Sequence, residues 1–255
     1  MLTHINLLKY FLIRDLKARY AGSGLGVVWT VLMPLIQILL FWFVFSEILK
    51  ARPYANMQIP YIYFLLSSFF FWLAFSEGLM RAANSINENA EMVKKVSFPN
   101  ILLPLTVTIS SYIHHMVGFI LFIIIYSITV TLSPSLLMVI PFLVLQLFFS
   151  FGLGMLFSSL LPYLRDIGQI LATALQGLFF LSPIIYSIEA VPEKLRIILF
   201  LNPITYFASS YQKIILFNKL PPVENIIIIL ALSAISFICG FVIFKKLKSG
   251  FADVL

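Results

Sequence analysis

Side chains able to bind or pair with another molecule fall into three groups in this chain, and none of the three is a catalytic constellation. The first is a polar island from Arg81 to Asn100, RAANSINENAEMVKKVSFPN, directly followed by a stretch from Val96 to Leu164 without any Asp, Glu, Lys or Arg. Within it, Ser85-Ile86-Asn87-Glu88 fits a capping box with Ser85 as N-cap and Glu88 reaching back. Glu88 and Glu91 then lie near the start of the expected helix and Lys94 and Lys95 near its end, the arrangement the helix dipole favours. Glu91 and Lys95 are also spaced for an i, i+4 ion pair. Ile86, Ala90 and Val93 share one face, and Pro99 stops the helix just after Phe98. A short helix with a charged outer side suits docking to a water-soluble partner; the plainer alternative is a solvated connector lying on lipid headgroups.

The second group is cationic. Arg14, Lys17 and Arg19 follow an apolar stripe of Ile5, Leu8, Leu12 and Leu16, a pattern that suits a helix lying in a membrane interface. The cations would draw an anionic, lipid-linked molecule to an entrance, or simply anchor the chain. The stripe is imperfect, because Asp15 and Arg19 fall beside it. The third group combines amides with aromatic rings. Thr30, Met33, Gln37 and Phe41 recur on one helical face, as do Gln169, Thr173, Gln176 and Phe180. Trp72 belongs to a mostly aromatic face with Tyr61, Phe64, Ser68 and Phe75. Such surfaces suit a channel lining that binds sugars; ordinary helix packing is the competing explanation.

What is missing narrows the chemistry further. No glycine is followed by lysine, so the chain has no phosphate-binding loop of the GxxxxGK type. His114 and His115 are adjacent and are expected to point to different helix faces, which argues for buried, hydrogen-bonded histidines rather than a metal pair. No metal site and no catalytic residue is read from the sequence. Acidic side chains are absent from mid-span positions, with Glu47 and Glu77 near span ends. This weakens both proton-coupled transport and a membrane-embedded polyprenyl-phosphate transferase. Cys239 is the only cysteine, so no internal disulfide can form.

The elements that must carry these groups are membrane helices. Of 255 residues, 61% are hydrophobic and only 11% charged, against about 25% charged in a soluble domain. The net charge of +7 fits cytoplasmic loops and anionic headgroups better than nucleic acid. Runs near the 20 residues a span needs occur at Val27–Ser46, at Pro60–Ser76 (extending toward Arg81), on either side of Leu132-Ser133-Pro134-Ser135, at Ile167–Ile188 and at Asn225–Phe244. The expectation is an all-α integral membrane protein with six transmembrane helices. No removable signal peptide is expected ahead of the first. Eleven Lys and Arg fall on the side holding the N-terminal segment, the polar island, Arg165 and the C-terminal tail, and six fall on the other. That bias places both termini and the island in the cytoplasm. From Val191 to Phe217 the chain is too broken at Asn202-Pro203 to cross, and reads as two short helices dipping back from the outer face.

Six blocks, taken in order, carry a resemblance. They are RDLKARYAGSGLGVVWTVLMPL (Arg14–Leu35), MVKKVSFPNILLPL (Met92–Leu105), RDIGQIL (Arg165–Leu171), LSPIIY (Leu181–Tyr186), NPITYFASSYQ (Asn202–Gln212) and FKKLKSGFADVL (Phe244–Leu255). Together they resemble the membrane subunit of polysaccharide-export ABC transporters, which export O-antigen, capsule and teichoic-acid polymers. The resemblance implies a single ABC transporter transmembrane domain over 1–255, with an interfacial helix in 1–22, a cytoplasmic coupling loop in 81–99 and an outer re-entrant gate region in 189–223. It implies an inner-membrane permease that pairs with a second copy of itself and with two ATP-binding subunits, which hold the ATP and Mg; this chain would need no cofactor. The coupling positions would be Ser85, Glu88, Glu91, Lys94, Lys95 and Phe98, and the outer gate would include Asn202, Pro203 and Tyr206. The substrate would be a polyprenyl-diphosphate-linked polysaccharide, O-antigen first, with teichoic acid or capsule as alternatives.

Overall fold

The computed structural model describes residues 4–54 and 59–255. Every regular element among them is helical. Five helical segments are long and apolar enough to cross a membrane: Gly26–Ile48, Tyr61–Glu88, Leu102–Thr129, Pro134–Leu160 and Val223–Val254.

Helix α1 (His4–Ala18) runs ahead of the first of these. The chain turns at Gly22 and Gly26, both at positive φ, a conformation that costs glycine little. Helix α2 (Trp29–Phe41) follows and relaxes into a π-helical stretch, Trp42–Ile48. Helix α3 (Tyr61–Glu88) is the axis of the fold, buried over most of its length. Around it pack α5 (Leu102–Thr129), α6 (Val139–Leu160) and α9 (Pro203–Phe217). The break between α5 and α6 falls where Ser133-Pro134 predicts it, with the Ser133 hydroxyl accepting from the Ser135 amide and Pro134 opening a 3-10 turn.

Close helix contacts are built on small residues. Ser150, Gly154 and Ser158 of α6 are all buried, and Gly154 sits against Ala82 of α3. A second contact, on another face of α6, joins it to α10 (Val223–Leu247). There Gly240 lies on the Gly152 carbonyl so closely that a methyl group at either position would overlap the other helix's backbone.

Two expectations change. The expected fifth span is a shorter helix, α7 (Asp166–Phe180), rather than a continuous run to Ile188. Its 15 residues reach about 22 Å, less than the ~30 Å apolar thickness of a bilayer. Pro183 supplies no amide hydrogen and disfavours helical geometry at Ser182, so the chain continues irregularly. The polar island is also not one helix. Its first half, through Glu88, is the end of α3, and only Ala90–Lys95 forms the separate helix α4. The expected pair of short helices after residue 191 is present as α8 (Glu193–Leu201) and α9, parted at Asn202-Pro203. The chain closes with α11 (Phe251–Val254).

Candidate functional site

Three places collect the functional side chains: a charged junction between α1, α3 and α5, the helix α4, and the corner between α7, α8 and α9.

The junction explains the flaw in the α1 stripe. Asp15 and Arg19 face into the protein, one turn apart, and meet Glu77 and Arg81, one turn apart on α3. Arg19 Nη2 reaches Glu77 Oε1 at 2.6 Å, and Arg81 Nη2 reaches Asp15 Oδ1 at 2.6 Å. The contacts within each helix are longer, 3.8 Å for Arg81 to Glu77 and 3.9 Å for Arg19 to Asp15. Helix α5 completes the square with neighbouring hydroxyls. Ser110 donates to Asp15 Oδ2 at 2.5 Å and Ser111 to Glu77 Oε1 at 3.2 Å, while Arg19 donates to Ser111 at 3.1 Å. The Nε2 of His115 donates to Glu77 Oε2 at 2.6 Å, since a carboxylate can only accept. His114 Nδ1 lies 3.2 Å from the Tyr20 hydroxyl. With Arg19 and Asp15 side chains only 14% and 17% exposed, these are charge-assisted contacts largely withdrawn from water, stronger than surface ion pairs.

The junction corrects two sequence arguments. The adjacent histidines do converge: ligand atoms of Glu77, His114 and His115 lie within 4.8 Å of one another. Both Glu77 oxygens are nevertheless engaged by Arg19, Ser111 and His115. Two guanidinium groups stand beside them, so the donors fit an ion-pair lock better than a cation cage. Arg19 also belongs to this lock rather than to an exposed entrance. Arg14 and Lys17 remain exposed, with the Arg14 guanidinium 5.0 Å from the Phe11 ring centre. Asp15, Glu77 and Arg81 were missed as a set because their partners are up to 95 residues apart. The off-stripe charges on α1 were the available signal.

Helix α4 sits at one end of α3. Met92 and Val93 pack onto an apolar cluster of Ile86, Leu103, Phe151, Met155, Phe244 and Phe251, which brings the chain's last helix under it. Glu88, Glu91, Lys94 and Lys95 face outward, and Lys95 pairs with Glu91 at 2.5 Å. Phe98 is half-buried, edge-on to Phe11 of α1 at 5.9 Å between ring centres. Ser85 does not cap this helix. It is fully buried inside α3, its hydroxyl donating to the Ala82 carbonyl, because α3 continues through it. Glu88 accordingly lies at the C-terminal end of α3, where the dipole disfavours a negative charge.

At the third place, one side chain ties the corner together. The Asn202 amide donates to the carbonyls of Leu178 and Leu181 and to the Ser182 hydroxyl, at 3.3, 3.1 and 2.8 Å, while its oxygen accepts from Ile204 N–H at 2.9 Å. One residue thus caps the end of α7 and the start of α9, with Pro203 at the first helical position. Tyr206 adds a bond to the Phe200 carbonyl at 2.9 Å. The expected channel set divides. Gln169, Thr173, Gln176 and Phe180 form an exposed stripe along α7, and Thr30 and Gln37 are half-buried. Phe41 packs edge-on to Phe69. Trp72 is in the core between Phe75 and Phe179, so it lines no channel within this chain; its aromatic face was a packing face.

Among the described residues the chain is all-helical, with five helices able to cross a membrane and a charged helix held outside the apolar bundle. Residues 6–216 match the family described as ABC-2 type transporter. The chain belongs to that family. It is 30% identical over 249 residues to an O-antigen export system permease protein RfbA of Klebsiella pneumoniae, covering 95% of this chain and 92% of that protein. It is 26% identical over 244 residues to the RfbA protein of Myxococcus xanthus, covering 94% and 92%.

Proposed function

We propose that this chain is the permease of an ATP-driven O-antigen exporter in the inner membrane. Two copies work with two ATP-binding subunits to move a polysaccharide carried on a polyprenyl diphosphate. The observation that carries the proposal is the end-to-end similarity to proteins named O-antigen export permeases. The geometry supplies the mechanism. The cytoplasmic α4 is the docking helix, with Glu88, Glu91, Lys94 and Lys95 offered to the ATP-binding subunit. Its apolar underside rests on the ends of α3, α5, α6 and α10, so a push on α4 is delivered to the helix bundle directly. The Asp15–Arg81 and Arg19–Glu77 pairs carry the same movement from α3 to α1, so the interfacial helix moves with the bundle. Both termini lie in the cytoplasm. The membrane is crossed six times, with α7 and the irregular segment after it completing the fifth crossing. Helices α8 and α9 return into the outer leaflet as the exit gate, hinged at Asn202. Arg14 and Lys17 remain the cations able to meet an anionic carrier lipid at the entrance.

The test is reconstitution with the cognate ATP-binding subunit. Hydrolysis is expected only when both subunits are present, and restoring the chain to a deletion strain is expected to restore O-antigen at the surface. ATP hydrolysis by the permease alone, or a restored strain without surface polysaccharide, would overturn the assignment.

A further inference from the structure

At the end of the helices opposite α4 lies a cavity of about 840 Å³, walled in part by α9, to which the proposed exit gate gives no ligand. Its size falls within the range of small-molecule sites, roughly 300–1,000 Å³. Its walls come from three connections and one helix: Arg52 to Tyr54 after the first span, Ser187 to Ala190 between α7 and α8, the second half of α9, and Lys219 to Pro222.

The charge is one-sided. Arg52, Lys213 and Lys219 line the cavity, with Glu189 as the single carboxylate. Each of the three cations lacks a carboxylate within ion-pair distance among the described residues. Residues 55–58 contain no acid either. Two of the cations are brought together by backbone geometry. Asn218 adopts the left-handed conformation at φ 53°, which ends α9 and folds the chain back until Lys219 N–H donates to the Lys213 carbonyl at 3.2 Å.

The remaining lining is uncharged, mostly aliphatic and small polar residues, and includes two aromatic rings, Tyr54 and Phe217. Tyr54 stands edge-on to Phe217 and to Phe64, each at 5.6 Å between ring centres. Burial, and then the nearby Glu189 charge, push its phenol up to about 12, so it stays a neutral hydrogen-bond donor. Gln212 is nearly fully buried and spends its amide hydrogens on the Pro183 carbonyl and Ser68 hydroxyl. Its carbonyl oxygen receives no hydrogen bond from the described residues. Arginine and lysine with no carboxylate partner select an anion, and an aromatic wall beside amide and hydroxyl groups suits a sugar ring.

We infer that this cavity is a binding site for a phosphorylated sugar, with Lys213, Lys219 and Arg52 on the phosphate and Tyr54 and Phe217 against the ring. The inference stands on the cavity itself and does not depend on the identity of the exported polymer.

The experiment uses the full-length chain in phosphatidylcholine nanodiscs and titrates glucose 1-phosphate, free glucose and inorganic phosphate by calorimetry. Glucose 1-phosphate is expected to bind at least tenfold more tightly than either of the others. Lys213→Gln with Lys219→Gln is expected to weaken it about tenfold or more, two charge-assisted contacts being lost. Lys213→Arg with Lys219→Arg is expected to keep it within a few-fold. Both variants are required to elute like the wild type before titration. Equal binding of free glucose, or binding unmoved by the glutamine pair, overturns the inference. In nanodiscs containing phosphatidylglycerol, loss of glucose 1-phosphate binding would assign the cations to a lipid headgroup and overturn the sugar site; unchanged binding supports it.

Discussion

Replacing Glu77 with glutamine isolates the lock between α1 and the bundle. The substitution keeps the shape and removes one charge. Two short contacts are downgraded, to Arg19 and to His115, both at 2.6 Å. Hydrogen bonds to charged groups are worth about 1.5–3 kcal/mol, against about 0.5–1.5 for neutral ones, so the two together lose roughly 2–3 kcal/mol. Glu77 is 30% exposed, and water offsets part of that loss, leaving about 2 kcal/mol. At 1.4 kcal/mol per factor of ten, α1 detaches about 30-fold more often. Hydrogen exchange of the α1 amides in nanodiscs reads that population, and their exchange should accelerate by about the same factor while the α9 amides stay unchanged. A double-mutant cycle with Asp15→Asn and Arg81→Gln should return a coupling of about 1–3 kcal/mol. An α1 exchange rate altered less than threefold, together with a coupling near zero, would refute the claim that these charges hold α1 to the bundle.

Three further outcomes follow from the same geometry. Glu88→Lys with Glu91→Lys reverses the acidic part of the exposed surface around α4, costing about 0.3–1 kcal/mol of dipole stabilisation at Glu91 and little or nothing at Glu88. Purified complexes should lose the ATP-binding subunit or its stimulated hydrolysis, and surface polysaccharide should fall. Gly240→Ala drives a methyl into the Gly152 carbonyl; overpacking costs about 1–3 kcal/mol, and the melting temperature should drop, whereas Gly177→Ala, which meets open space inside α7, should hold or raise it, alanine being the better helix former by about 0.5–1 kcal/mol. Asn202→Ala removes a cap worth about 1 kcal/mol and strips donors from buried carbonyls at about 1–3 kcal/mol, for a total near 2–4. Asn202→Ser can restore the cap but not the reach to Leu178, so its melting temperature should fall between the two.

Most of the helices were legible from the sequence because lipid leaves few alternatives to a long apolar helix. The break at Ser133-Pro134 and the pairing of α8 with α9 at Asn202-Pro203 followed from proline and cap chemistry. The failures have separate causes. Ser85-Ile86-Asn87-Glu88 has the composition of a helix start, yet packing of Ile86 into the apolar cluster carries α3 straight through it. Trp72 matched a channel-like period, but buried helices show the same period. Fifteen residues of α7 were read as part of a longer span because apolarity continues past the point where Pro183 ends the hydrogen bonding. At Ser85 a local rule was overridden by packing against distant neighbours, whereas at α7 a nearby proline decided. Asp15 is the clearest instance of the former: beside its own stripe it is a blemish, and beside Arg81 and Ser110 it is a fixed point.

The separation of those partners along the chain imposes an order on biosynthesis. Asp15 waits 66 residues for Arg81 and 95 for Ser110. At roughly 5–20 residues per second of translation, that is about 3–13 seconds before the first partner and about 5–19 before the second. During that interval Asp15 and Arg19 lack their partners on α3 and α5 and must be satisfied by water and headgroups. When α3 enters with Glu77 and Arg81, the charges it must submerge already have opposite charges waiting. The polar face of α3 can therefore be neutralised as it inserts, and α5 seals the arrangement afterwards. The N-terminal helix acts in this sequence as an internal escort for the charges of α3.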